Sequence, residues 1–427
     1  MTAIANLPDL RPSLLLDFAN SGRVDPRIQC TRASSATCFG PDGKLRTVAA
    51  NVPRIDYDPA TGRGLGLLVE EQRTNLFVYS ADLTNPAWSK TNLSVDGSKA
   101  VVGGLDFTKL FEVVTAQSVG KNVRRMFPAA YPAGTSLSIK WYFVESPRRF
   151  CTVLLLGNWL GVASIALDTK TGAFAVKSDA LSGWSWTVKR HLTGVVEVVA
   201  TNPSLPAEYP TGSYLDVRPS AASSLEAVAA VGDSYTGDEN FYLYVGPVQL
   251  EVGAFPTSYI PTGASAVTRG ADLATLSLAN APGSFNPTEG AVHAKYLLGA
   301  KSSSVGVVYV HRAASPSADN LGMRYASGRH AQYMVNSGGV GQVNVAPSGY
   351  SNPGYYSRAI TYQDNSFNQA INGQLPTPRV TSGSTSPGLD TISFGSENSG
   401  NQLCGHIQQV AIYGRALTDA QLQRITA

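Results

Sequence analysis

At 427 residues the chain is long enough for two or three domains, each with its own core. Only 15% of residues are charged, against roughly 25% in an ordinary soluble domain, while glycine (41) and proline (25) are plentiful. The formal net charge of +3 and the lack of any basic run beyond Arg124-Arg125 and Arg148-Arg149 argue against a nucleic-acid groove.

The same composition points to an all-β protein with many turns, and its sparse charge suggests surface covered by other subunits. No apolar run reaches the length of a membrane span, and the stretch 151–157 reads as a buried strand, so membrane insertion is not expected. The N-terminal residues are too short and polar for a secretory leader. Cys30, Cys38, Cys151 and Cys404 are dispersed without metal spacing. Cys30 and Cys38 could bridge a short loop, but buried free thiols from a reducing cytosol are the better reading.

Along the chain, Ser13 to Phe18 predicts a first strand, followed by Arg32 to Phe39 and a turn at Gly40–Gly43. Val52 to Pro59 and Gly64 to Glu70 are further extended pieces, ending in the polar cluster Glu71 to Leu76. From 77 to 262 the strands lengthen and alternate in period two: 137–144, 161–168, 194–200 and 241–251. A turn at Thr169–Gly172 makes 165–176 a hairpin. Residues 263–284 read as a linker with a breaker cluster at 280–284. Strands follow at 290–296, 305–311, 321–325, 331–335, 358–362 and 367–373. The chain closes with a strand carrying Ile407, Val410 and Ile412, a turn at Gly414-Arg415, and a short acid-capped helix bearing Leu417, Leu422 and Ile425.

Three stretches carry resemblances. Arg32 to Thr37 (R-A-S-x-A-T), Gly43 to Leu45, Asn51 to Gly62, Gly66 to Leu76 and Trp88 together resemble a module of tailed-bacteriophage structural proteins. The run Gln249 to Thr262 resembles the last strand and tail of carbohydrate-binding-module-like jelly rolls. The Ile371–Gly373 hairpin tip, the strand Asp390 to Ser396 and the C-terminal strand-turn-helix resemble the laminin-G/concanavalin-A-like fold. The implied organisation is an N-terminal attachment or oligomerisation segment (1–76), a carbohydrate-binding-module-like jelly roll (77–262), a linker (263–284) and a laminin-G-like sandwich (285–427). The implied function is that of a virion protein of the tail-fibre, spike or baseplate-associated kind. It would be made in the host bacterial cytoplasm, assemble with other virion proteins as a homotrimer and bind host-surface glycan. A purely structural baseplate or capsid-decoration subunit is the alternative, and a polysaccharide depolymerase a more distant one.

Residues that could carry chemistry are few. The histidines (His191, His293, His311, His330, His406) show no metal spacing, and those on predicted strands read as packed or edge residues. Carboxylate pairs that a glycosidase would need are Asp56 with Asp58, Glu70 with Glu71, and Asp233 with Asp238 and Glu239, but none forms the two-glutamate strand of concanavalin-like glycosidases. No enzyme is expected. Calcium is the one candidate cofactor, at the oxygen-rich loop holding Asp233, Asp238 and Glu239, with a solvated turn as the other reading. Sugar binding needs aromatic faces beside hydrogen-bonding groups. Trp184 and Trp186 form either a core stripe or a platform, and Tyr350, Tyr355 and Tyr356, in and beside a Ser-Asn-Pro-Gly loop, are the candidate contacts.

Overall fold

A computed structural model describes residues 10–299, 304–325, 331–347, 350, 353–397 and 400–427 of the chain. His330 lies outside the described residues. The fold is all-β, built from two jelly-roll sandwiches.

The middle sandwich uses strands between residues 89 and 252. One sheet runs Lys99–Val102, Leu105–Glu112, Tyr242–Val252, Leu137–Phe143, Val196–Asn202, Ser185–Arg190. The facing sheet runs Phe174–Asp179, Val162–Asp168, Phe150–Leu156, Tyr214–Ser220, Asn122–Met126, Ser89–Thr91. Alternation fills the space between them: Ile139, Trp141 and Phe143 from one sheet meet Val153, Leu155 and Ile165 from the other in a single core. The expected hairpin forms, with Leu167 opposite Phe174 across the 169–172 turn.

The C-terminal sandwich is assembled from both ends of the chain. Its first sheet orders Ser366–Ile371, Gly354–Gln363, Glu289–Leu298, Gly405–Tyr413, Gly64–Val69, Arg54–Tyr57, with Leu14–Asp17 also paired to Gly405–Tyr413. Its second sheet begins with Gln29–Thr31 and Leu273–Ser277, then Thr391–Phe394, Val305–His311, Asn320–Tyr325, Ala331–Ser337 and Val340–Val345. Residues 10–76 therefore do not stand apart as an attachment segment. Leu14, Leu16, Phe18, Ile28, Leu67 and Val69 lie in the same core as Val292, Val310, Ile392 and Ile412. The reason is visible in the strands: Leu14 and Leu16 point inward while Leu15 faces solvent, and Leu65 through Glu70 are buried throughout, as a strand covered on both faces requires.

The middle sandwich is thus an insertion within the C-terminal one. The chain crosses out through Arg73–Asn75 and returns through Val267–Arg269, and these two crossings pair with each other as an antiparallel ribbon. The closing strand, the turn and the helix Asp419–Thr426 follow as expected, and Leu417, Leu422 and Ile425 are buried. The helix cap is Thr418, not an acid: its side chain accepts from the Gln421 amide while Gln421 reaches back, and Asp419 sits in the first turn. At the hairpin tip Asn372 (φ 49°) and Gly373 (φ 76°) both adopt the left-handed conformation that a tight two-residue turn demands. The four cysteines are free, and burial pushes the Cys38 thiol up to about 11. Among the described residues no helix is long and apolar enough to cross a membrane.

Candidate functional site

Where the two sandwiches meet, the motif-rich N-terminal strands build a wedge of buried charge. Arg54 pairs with Glu70 at 2.9 Å and with Asp272, Arg32 pairs with Asp272 at 2.9 Å, and Arg269 lies 3.6 Å from Glu70. All five side chains are essentially inaccessible. Three guanidinium groups face two carboxylates, and backbone oxygens take further donors: Arg32 binds the carbonyls of Ser34, Ala49 and Val52, and Arg54 that of Thr37. Burial by itself would raise the Glu70 pKa, but Arg269, Arg54 and the Ser258 hydroxyl outweigh it and hold the carboxyl well below its usual range. Because Ser258 belongs to the tail that leaves the middle sandwich, the cluster ties all three stretches together. Three of its five charges, Arg32, Arg54 and Glu70, come from the N-terminal motifs.

Beside the wedge opens a cleft of about 400 Å³, lined by the N-terminal strands, the middle sandwich and the C-terminal sandwich. Such a volume falls within the range of small-ligand sites. On its floor Asp56 accepts from the Phe39 amide at 2.7 Å and contacts His406 Nε2 at 2.8 Å. Asp58 caps its own turn through the Ala60 amide and pairs with Lys189 at 3.6 Å. Glu197 lies 3.5 Å from His191; burial would raise its pKa, yet Lys140, His191 and Lys189 together hold it at about 2. At the rim stands Tyr355, 47% exposed, with the Arg63 guanidinium stacked 4.8 Å from its ring centre and donating to its hydroxyl. A ring fixed in this way, beside charged and hydroxyl groups, can stack on a sugar face and hydrogen-bond its hydroxyls.

The other expected contacts lie elsewhere. Tyr356, one residue on, points the opposite way and stacks on Tyr296 at 5.8 Å against the core. Tyr350 is half-buried on that same core. Trp184 and Trp186 pack on the core of the middle sandwich, and the Trp184 indole donates to the Tyr209 hydroxyl at 2.6 Å. Both indoles are half-buried against that core.

The expected calcium loop does not gather its carboxylates. Asp233 accepts from the Ser220 hydroxyl and the Ala229 amide, Asp238 caps the turn through the Asn240 amide at 2.9 Å, and Glu239 points to solvent. Among the described residues no group of three metal-ligating side chains comes together. The carboxylate pairs are likewise taken up separately: Glu70 faces the arginine cluster, while Glu71 turns to Arg73. The strand histidines are packed, His293 on Ser357 and His311 on Ser393, each at 3.0 Å. Sequence reasoning missed both the ion cluster and the cleft. The available signal was charge set inside apolar strands, as in Leu67-Leu68-Val69-Glu70.

No curated protein matches the chain in sequence. Solved structures with partial similarity include the CBM40 of the Ruminococcus gnavus IT-sialidase bound to α2,3-sialyllactose, at 12% identity over 33% of this chain and 84% of that one, TM-score 0.30. A leech intramolecular trans-sialidase shares 14% identity over 36% of this chain and 26% of its own, TM-score 0.30. Domains LG4-5 of the mouse laminin α1 chain share 10% over 68% and 88%, TM-score 0.21. Residues 296–423 match the Laminin_G_3 family of the concanavalin A-like lectin/glucanases superfamily. That span leaves out the N-terminal strands which complete the same sandwich. The C-terminal sandwich is a laminin-G/concanavalin-A-like, lectin-like jelly roll.

Proposed function

We propose that this chain is a bacteriophage virion protein of the tail-fibre, spike or baseplate-associated kind, which attaches to host-surface glycan by binding rather than by turnover. The observation that carries the glycan part is the lectin-like C-terminal sandwich, which sets Tyr355 at the rim of a cleft of about 400 Å³ with mixed polar and apolar walls. The virion part rests on the run of N-terminal motifs from Arg32 to Leu76. Weak sites repeated around a symmetric oligomer, a trimer in this reading, would gain avidity through effective concentration.

The test is a glycan array with the full chain, with and without a calcium chelator, beside its mass by light scattering. Specific binding by an oligomer, unchanged by chelation because Asp233 and Asp238 are already engaged by their own loop, is the expected result. A stable oligomer that binds no glycan would support the structural alternative instead. Release of reducing ends from a bound polysaccharide would overturn the non-catalytic reading.

A further inference from the structure

We infer that Trp159, at the tip of the middle sandwich, is a second glycan contact that stacks on a pyranose face independently of the junction cleft. The inference rests on the glycan-binding reading above and adds a site to it.

The five tryptophans behave differently. Trp88 and Trp141 are fully buried, and Trp184 and Trp186 are half-buried against the core, but Trp159 is 76% exposed. An indole left in water forgoes the burial of one of the largest apolar side chains, so a loop that holds it outward calls for a reason. This loop does hold it. Residues 157–161 join two strands paired along their whole length, Phe150–Leu156 and Val162–Asp168. The Gly157 amide donates to the Gly161 carbonyl at 3.1 Å, and the Leu160 amide to the Gly157 carbonyl at 2.9 Å. Leu160 packs down on the core while its neighbour Trp159 points out. Asn158 (φ 54°) and Gly161 (φ 120°) take backbone conformations that this reversal requires.

The surroundings suit a sugar better than a protein or a lipid surface. Asn158 is exposed and its amide lies against Gly212, so the loops at 157–161 and 211–213 meet there. Leu181 packs beside Gly157 and brings the exposed Ser182 to the same end. One flat aromatic face among amide and hydroxyl groups matches a pyranose, with its apolar C–H face and polar rim. A protein hot spot would sit at the centre of a wider apolar patch, and a membrane anchor would need more than one apolar side chain. The site also lies in the sheet of the middle sandwich that does not carry the junction: Lys140 and Gln249, which bind the returning tail, belong to the opposite sheet. One chain would therefore present two separate contacts to a polymer.

The test uses the full chain and an array of purified bacterial lipopolysaccharide O-chains and capsular polysaccharides, comparing wild type, Trp159→Ala, Trp159→Phe and Tyr355→Ala. The expected result is a loss of about tenfold in affinity for Trp159→Ala, near-complete retention for Trp159→Phe, and unchanged thermal unfolding for both. Bound polysaccharide should blue-shift tryptophan emission in wild type and Tyr355→Ala but not in Trp159→Ala. Binding by Trp159→Ala equal to wild type overturns this inference and leaves the cleft reading standing. A wild type that binds none of these polysaccharides overturns both. Binding to phosphatidylglycerol vesicles that Trp159→Ala abolishes, with polysaccharide binding intact, overturns it in favour of a lipid contact.

Discussion

Every strand of the middle sandwich comes from one continuous stretch between residues 89 and 252, whereas the C-terminal sandwich draws strands from 14–69 and again from 273–413. The second arrangement must close a loop of about two hundred residues before its core can form. That cost grows only slowly with length, about 0.6 kcal/mol per doubling, but it must be met before the contacts that offset it exist. The middle sandwich meets it. Its own folding sets the Leu76 amide on the Leu250 carbonyl and the Tyr79 amide on the Gly263 carbonyl, which brings the two crossing strands side by side. A sandwich split in sequence can thus be local in space, provided the insert folds as a clamp.

The largest break in this comparison is removal of residues 10–76. The C-terminal sandwich would lose four strands from its two sheets and Leu14, Leu16, Phe18, Ile28, Leu67 and Val69 from its core. Hydrogen exchange should then find residues 289–413 unprotected and the strands between 89 and 252 still protected. Protection of both would mean that the N-terminal strands decorate a sandwich able to stand without them.

Next in size is the ion cluster. Asp272→Ala leaves Arg32 without a carboxylate and Arg54 with Glu70 alone, and removing one partner of such a buried network costs about 3–5 kcal/mol. The matching change in the middle sandwich is Asp216→Ala. Its partners Arg124 and Arg218 are 29% and 21% exposed and can turn to water, so about 1–2 kcal/mol is expected. Denaturant midpoints for the two variants decide the matter, and equal losses would show that the wedge is no more central than any other buried carboxylate.

Acid separates the sandwiches more gently. Burial, with Lys295 adding to it, holds the His293 pKa at about 3 against an ordinary 6.5. The unfolded chain therefore binds more protons as pH falls from 6.5 towards 3, and stability drops across that window. Between pH 6.5 and about pH 5 the loss should be about 2 kcal/mol, all in the C-terminal sandwich. Glu197, on the middle sandwich, falls from 4.5 to about 2, so its contribution is complete above 4.5 and lost only as pH descends towards 2. Calorimetry at about pH 5 should show the C-terminal transition moving first, and His293→Gln should suppress that movement.

The strands were legible because their alternation and turns are local. Leu137 to Phe143, the hairpin around Thr169–Gly172 and the terminal strand-turn-helix could all be read from adjacent residues. The pairing of Leu14–Asp17 with a strand four hundred residues away could not, since nothing in either segment encodes distance. The same limit applies to the site. Tyr355 and Tyr356 are identical as text, and strand parity sends one to the cleft and the other to the core. For Trp184 and Trp186 the spacing allowed either a core stripe or a platform, because an edge strand packed on a core has the same spacing as an exposed one.

The smallest effect on stability is expected at the residue proposed to matter most for binding. Tyr355 is nearly half in solvent, and its main partner is the exposed Arg63, so Tyr355→Ala should change unfolding free energy by less than about 0.5 kcal/mol. Glycan affinity, by contrast, should fall about tenfold, the size expected for one lost aromatic contact. Tyr356→Ala is the internal control, because it removes a half-buried ring stacked on Tyr296 and should cost about 1–3 kcal/mol of stability. If stability and binding instead fell together in Tyr355→Ala, the cleft rim would be part of the scaffold and the binding surface would have to lie elsewhere. If they separate as expected, the same strand, Gly354–Gln363, serves both ends of the comparison: its inward residues hold the split sandwich closed and its outward tyrosine meets the ligand.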